Sequence, residues 1–243
     1  MEVLIPNWPA PTTIRAFTTT RIGGHSQGSY AHLNLGLHAG DDPQAVNANR
    51  ALVQDHYNLP SPPTWLKQTH SNEVIAAEQV NSECSADAST TSTKNTVCAI
   101  LTADCLPILL TNQAGSEVAA IHAGWRGLAK NIIKNTVQTM QTASEKILAW
   151  LGPAIGPSAF EVGAEVKSQF LQLDAMYTEA FRPLSVDKCL ANIFTIARLQ
   201  LQQCGVTRIY TEQLCTYTDV DRFFSYRRDK ITGRMASLIW IQS

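Results

Sequence analysis

Three short stretches carry residue types that do chemistry. The first is Leu101-Thr-Ala-Asp104-Cys105-Leu-Pro107-Ile-Leu-Leu110, an Asp-Cys pair between two apolar β-like runs. Pro107 is expected to interrupt strand pairing just after the thiol and so open it to a cleft. Burial as a plain structural residue is the commoner fate of a free cysteine, but a carboxylate beside it is costly to bury without a purpose. The second is Ile121-His122-Ala-Gly124-Trp125-Arg126-Gly127, where a β-run ends on a histidine, two glycines turn the chain and a helix begins. Free N–H groups at that helix start, with Arg126, are suited to an anion, although the Walker spacing is absent. The third is Trp65-Leu-Lys-Gln68-Thr-His70-Ser-Asn72, which again sets a histidine at a strand tip. Two imidazoles and one thiolate are a workable three-ligand zinc set with an open fourth position. The separations, 35 residues from His70 to Cys105 and 17 from Cys105 to His122, form no local signature.

Counting excludes several other chemistries. The six histidines (His25, His32, His38, His56, His70, His122) include no H-x-H pair, so a laccase-type multicopper cluster cannot be built within one chain. There is no C-x-x-C among the six cysteines, and hence no zinc ribbon or thioredoxin-type site. The zinc deaminase signature, H-x-E followed by P-C-x-x-C, is missing too.

The elements that must position these residues follow from periodicity. Strands are expected at Thr13–Thr20, Thr64–Gln68, Val97–Leu101, Ile108–Thr111, Glu117–Ile121, Lys146–Leu151, Arg208–Tyr210 and Met235–Ile241, where β-branched and aromatic residues cluster. Asp42-Pro43 caps a helix running to about Tyr57. Three further helical faces are Leu128–Met140, Val162–Leu173 and Leu190–Leu201, the last followed by Gly205 as a cap. The Ser89–Thr93 run reads as a polar loop. Strands outnumber helices without strict alternation, which argues for an α+β protein with mixed sheets flanked by helices. No linker or composition shift divides residues 1–243, so one domain is expected.

Composition narrows the partners. Only 16% of the 243 residues are charged, against about 25% in average domains, and the net charge is −1. No basic stripe offers itself to nucleic acid. Neither a membrane span nor a secretory signal is expected, nor is an obligate protein partner evident. Six cysteines in so long a chain are not a disulfide scaffold, and the expectation is a cytoplasmic protein with reduced thiols.

At this point the sequence resembles a known family. The matching segments include Thr20-Arg21-Ile-Gly23-Gly24, Leu33-Asn34-Leu-Gly36, Gly40-Asp41-Asp42-Pro43, Gln68-x-His70, Thr102-Ala-Asp-Cys-Leu-Pro107 and His122-Ala-Gly-Trp-Arg-Gly127. Later come Trp150–Pro157, Phe160–Gly163, Cys215–Tyr217, Phe223–Asp229 and Thr232–Ser237. Together they resemble the bacterial YfiH family, also catalogued as laccase-domain or multicopper polyphenol oxidase proteins. The resemblance implies a four-layer α/β/β/α sandwich, similar to the catalytic domain of cytotoxic necrotizing factors. It also implies a metal, usually zinc and in some accounts copper, on His70, Cys105 and His122.

Three activities come with the resemblance. One is purine nucleoside chemistry: phosphorolysis of adenosine, inosine and methylthioadenosine, with adenosine deamination. The others are copper-dependent polyphenol oxidation and peptidoglycan editing, which removes L-Ser from UDP-MurNAc-L-Ser. A metal-free hydrolase with Cys105 as nucleophile and His122 or His70 as base is the rival mechanism. Asp104 is the candidate general acid/base, with Glu161 behind it. Arg21, Asn34, Gln68, Arg126 and Arg227 or Arg228 are the candidate substrate contacts. His25 and His32 receive no catalytic role, and Cys84, Cys98, Cys189 and Cys204 are read as structural.

Overall fold

A computed structural model describes residues 1–79 and 84–243. Two sheets make its centre. The first orders the strands Val3–Leu4, Ile14–Thr19, Met235–Ile241 and Cys98–Thr102, all antiparallel. The second orders Arg208–Thr211, Ile147–Leu151, Leu106–Asn112, Val118–Ala123, Ala88–Thr91 and Val74–Ala76, antiparallel in the middle and parallel in the two outermost pairs. A smaller antiparallel sheet joins Phe181–Pro183, Lys188–Ala191 and Glu161–Gly163.

Alternation along the strands produces the layers. Ile14, Ile100, Ile239 and Ile241 of the first sheet pack against Leu109, Val118, Ala120 and Trp150 of the second. The opposite parity of the first sheet, Phe17, Ala99, Leu238 and Trp240, meets Val53 of the helix Pro43–His56. The opposite parity of the second, Ile108, Leu110, Ala119 and Ile121, is covered by the helices Ile132–Thr139, Ala164–Leu173 and Ile193–Gln203. The order helix, sheet, sheet, helices is a four-layer α/β/β/α sandwich. Asp42 caps the first helix by accepting from Gln44 N at 2.9 Å, with Pro43 at its first turn.

Several elements differ from the sequence reading, each for a local reason. The single helix expected over Leu128–Met140 is two, Trp125–Ala129 and Ile132–Thr139, separated by Asn131 in the left-handed region (φ 65°), which asparagine tolerates better than most residues. Val162 and Leu190 belong to strands that run directly into helices. A helical period read across such a junction overruns it. The supposed loop at Ser89–Thr93 begins as the fully buried strand Ala88–Thr91. Small and β-branched residues fit between the neighbouring strands, whatever their polarity. Thr64–Gln68 forms only isolated bridges, Thr64 to Cys98 and Lys67 to Ser85. Pro107 lies inside the strand Leu106–Asn112, opposite His122. Near the strand's start its missing donor is tolerated. Among the described residues no helix is long and apolar enough to cross a membrane.

Candidate metal centre and its cleft

Cys105 follows a sharp turn between two buried strands, Cys98–Thr102 and Leu106–Asn112. Asp104 takes φ 92° there. That backbone is braced from three sides: the Asp104 carboxylate accepts from Thr216 Oγ1 and Arg227 N, both at 2.6 Å, and its carbonyl accepts from Ile155 N at 2.9 Å. Both carboxylate oxygens are thus engaged and the residue is buried. Asp104 holds the turn that presents Cys105 and also lines the cleft.

His70 also has a positive φ, 58°, and its brace is Asp87. This carboxylate is fully buried and accepts from Thr69 N (3.1 Å), His70 N (3.0 Å), Ser71 N (2.7 Å) and Ser71 Oγ (2.6 Å). Its Oδ1 also accepts from His122 Nδ1 at 2.7 Å, and its backbone carbonyl accepts from His122 N at 2.7 Å. One acid therefore orients both histidines. It leaves Nε2 of His122 as the available ligand atom, the carboxylate–histidine arrangement that fixes the tautomer at metal sites.

The ligand atoms of His70, Cys105 and His122 lie within 4.8 Å of one another, and among the described residues this is the one such group. Cys105 Sγ is 3.6 Å from His70 Nε2. Two ligands of a tetrahedral zinc, at about 2.3 Å for sulfur and about 2.0–2.1 Å for nitrogen, stand about 3.6 Å apart. The site thus suits an ion of that size. Gly124 completes the cradle, because a Cβ there would come within 2.7 Å of His70 Cδ2 and 3.0 Å of Cys105 Sγ. Burial opposes charge on both Cys105 and His122, yet each favours the charged form of the other. With hydrogen bonds from both histidines, the Cys105 thiol is brought down to about 6. The Cys105 thiolate and Asp87 carry His122 up to about 9.

These residues line one side of a cleft of about 730 Å³. Of the candidate substrate contacts, Gln68, Arg126 and Arg227 line it. Gln68 is already committed, since its amide donates to Leu101 O and accepts from Leu101 N, both at 2.7 Å. Arg227 donates to Ala159 O and Glu161 O and lies over the Phe160 ring. Arg126 is exposed at the rim, 4.4 Å above the Trp125 ring. Its helix has only five residues, so the expected anion-holding helix start reduces to this side chain.

Arg21 and Asn34 are not among the residues that line the cleft. Arg21 donates to Ala31 O and Val220 O and covers the Phe224 ring, a bridge between loops. Asn34 is fully buried. Arg228 is paired with Asp229 and with loop carbonyls. Glu161 lines the cleft but pairs with Lys188. Sequence reasoning missed Asp87 and Arg234 as site residues, and read Gly124 only as a turn. The signal for Asp87 was an acid set between Ala86 and Ala88, where burial demands a partner.

The layers and the site together define a four-layer α/β/β/α protein with one His-Cys-His metal-type centre in an open cleft. Residues 15–242 match the family described as multi-copper polyphenol oxidoreductase laccase, and the chain belongs to that family. It is 51% identical to the purine nucleoside phosphorylase YfiH of Shigella flexneri and 50% identical to that of Escherichia coli strain K12, each over 99% of both chains. The crystal structure of Neisseria meningitidis protein NMB0706 superposes with a TM-score of 0.97 at 45% identity, covering all of both chains.

Proposed function

We propose that this chain is a zinc-dependent purine nucleoside enzyme, cleaving adenosine, inosine and methylthioadenosine with phosphate and deaminating adenosine at the same site. The observation that carries this reading is the convergence of His70, Cys105 and His122 in a cleft whose walls add aromatic rings and cations. The names of the relatives supply the substrate class. A zinc ion held there would supply a Lewis acid and activate water near neutral pH. The protein's own residues do the rest. Trp125, Phe160 and Tyr226 offer faces for a purine. Arg126, Arg227 and Arg234 offer positive charge to phosphate. In phosphorolysis the C1′–N9 bond breaks, a C1′–O bond to phosphate forms, and the departing purine takes up a proton. In deamination oxygen from water replaces the C6 amine and ammonia leaves. The thiol ligand suits a reducing cytoplasm, and residues 1–243 act as one catalytic domain.

A second reading draws on one specific observation. Cys105 within hydrogen-bond reach of His70, and His122 held by Asp87, also resemble the nucleophile–base–orienter arrangement of a metal-free hydrolase. Metal analysis of protein purified without added metal separates the two. About one zinc per chain supports the metalloenzyme, whereas metal-free protein inactivated by thiol alkylation supports the nucleophile. The substrate is tested by measuring kcat/KM for adenosine with phosphate and for UDP-MurNAc-L-Ser on one preparation. The expected products are adenine and ribose 1-phosphate, or inosine when phosphate is left out. If the muropeptide precursor is favoured by more than about a hundredfold, roughly 2.7 kcal/mol in transition-state binding, the nucleoside role is abandoned. Copper dependence is tested by reconstitution with either metal, and the expected phenol oxidation is slow.

A further inference from the structure

Arg234 stands on the cleft wall just before the strand Met235–Ile241, and it is fixed along its whole length. Its backbone N–H donates to Asn34 Oδ1 at 2.9 Å. The same oxygen accepts from Gly36 N at 3.0 Å, while Asn34 Nδ2 donates to Asp41 at 2.9 Å. The side-chain stem lies directly on Gly36, where a Cβ would come within 2.6 Å of Arg234 Cγ. At the far end Nη1 donates to the carbonyls of Thr232 (2.7 Å) and Gly233 (2.9 Å). The guanidinium is therefore held at its base, along its stem and at one nitrogen.

Among the described residues its Nε and Nη2 have no hydrogen-bond partner and no carboxylate forms an ion pair with it. Burial works against its charge, and Cys105 and Asp104 lead the groups that favour it. Among the described residues the Arg227 guanidinium likewise has only Nη1 engaged, by Ala159 O and Glu161 O, but it is Arg234 whose charge Cys105 favours. Arg21 is engaged by carbonyls, Arg222 and Arg228 by aspartates, and Arg126 is exposed. A partly buried, immobilised cation that no carboxylate pairs with directly is costly unless an anion completes it, and the free edge of a guanidinium matches two oxygens of one phosphate.

We propose that Arg234 is the oxyanion-binding residue of this cleft, its Nε–Nη2 edge receiving two oxygens of a phosphate group beside His70, Cys105 and His122. Asn34 and Gly36 are positioning residues that hold it there. The assignment of that phosphate as the second substrate rests on the phosphorolysis reading above.

The test is calorimetric titration of the zinc-loaded protein with inorganic phosphate, for wild type, Arg234→Gln, Arg234→Lys, Gly36→Ala and Arg126→Ala. Arg234→Gln should weaken phosphate binding by at least about tenfold. Arg234→Lys should keep part of it, since the charge remains but the fork is lost. Gly36→Ala should weaken it by displacing the stem. Arg126→Ala should have the smaller effect of the two arginine truncations. Zinc content should stay at the wild-type level throughout. In steady-state assays Arg234→Gln should raise the KM for phosphate more than the KM for adenosine.

Phosphate affinity of Arg234→Gln within about twofold of wild type, or no phosphate binding by wild type, would overturn the proposal. Should Arg234→Gln fail to fold, Arg234→Lys carries the same comparison. Phosphate binding lost with Arg234, in a wild-type enzyme that forms no ribose 1-phosphate, would leave Arg234 assigned and refute phosphorolysis. The oxyanion would then come from a larger phosphorylated substrate, and inorganic phosphate should compete with UDP-MurNAc-L-Ser in the wild type.

Discussion

Asp87 is the residue on which the centre turns, because two histidines far apart in sequence share its carboxylate. Burial by itself would raise its pKa, but His122 and Ser71 more than reverse this and hold the carboxyl well below the usual range. A lowered folded-state pKa means that the stabilisation is complete above the unfolded value of about 3.9, and is lost as pH falls through the folded value. Replacing Asp87 by Asn removes the charge that His122 and three backbone N–H groups share. We expect the metal-free variant to lose about 3 kcal/mol at pH 7. Its stability should also fall less steeply below pH ~4 than that of the wild type. Urea unfolding at a series of pH values checks both. Zinc affinity should drop by about 10–100-fold, as for other supports of metal-bound histidines. An affinity equal to wild type in a competition titration would remove Asp87 from this role.

At the scale of elements, two turns can be tested separately: one beside the candidate ligands and one between two helices. Gly124 ends the strand Val118–Ala123 with φ −72°, a conformation open to any residue. Space alone requires glycine, since a methyl group would push against His70 and Cys105. Gly124→Ala should therefore fold, with Tm lowered by only a few degrees, yet lose zinc to a chelator at least about tenfold more readily. Dialysis followed by metal analysis checks this. The second turn is Asn131, whose left-handed backbone lets Ile132 and Ile133 descend onto the six-stranded sheet. Asn131→Ala should cost about 1–2 kcal/mol, whereas Asn131→Gly should stay within about 0.5 kcal/mol of wild type. Equal midpoints for the two variants in urea would contradict the strain argument. The sequence reading located most strands and the capped helix at Pro43 well, because their patterns are local. It overran the helices at Val162 and Leu190, where strand and helix share one apolar face and nothing in the spacing marks the junction.

For the molecule as a whole, the two sheets are interleaved in sequence. Residues 14–19, 98–102 and 235–241 lie side by side in the first, while residues 88–91, 106–112, 118–123 and 147–151 lie in the second. Neither sheet can close without chain that also serves the other, so a single cooperative unfolding unit is expected. Trp150 lies between the sheets and Trp240 on the helix side of the first sheet. Variants retaining only one of these two indoles should give coincident denaturant midpoints. Two separated midpoints would show that the sheets unfold independently.

The sequence by itself pointed to the α+β class, to most of the strands, and to His70, Cys105 and His122 as candidate ligands. Those rest on patterns a few residues long and on the resemblance of motifs, both of which exist before the chain folds. Only the tertiary structure decided that Asp87 serves His70 and His122 together, that Asp104 braces a turn, that Arg21 bridges loops outside the cleft, and that Asn34 holds Gly36 and Arg234 of its wall. It alone showed that the polar run beginning at Ser89 enters a buried strand, and that Arg234 reaches the cleft with half its guanidinium unclaimed. The deciding contacts join residues well separated in sequence, such as 17 positions between His70 and Asp87 and 200 between Asn34 and Arg234. What a buried polar group does depends on which partner the fold brings to it, and no local pattern encodes that partner.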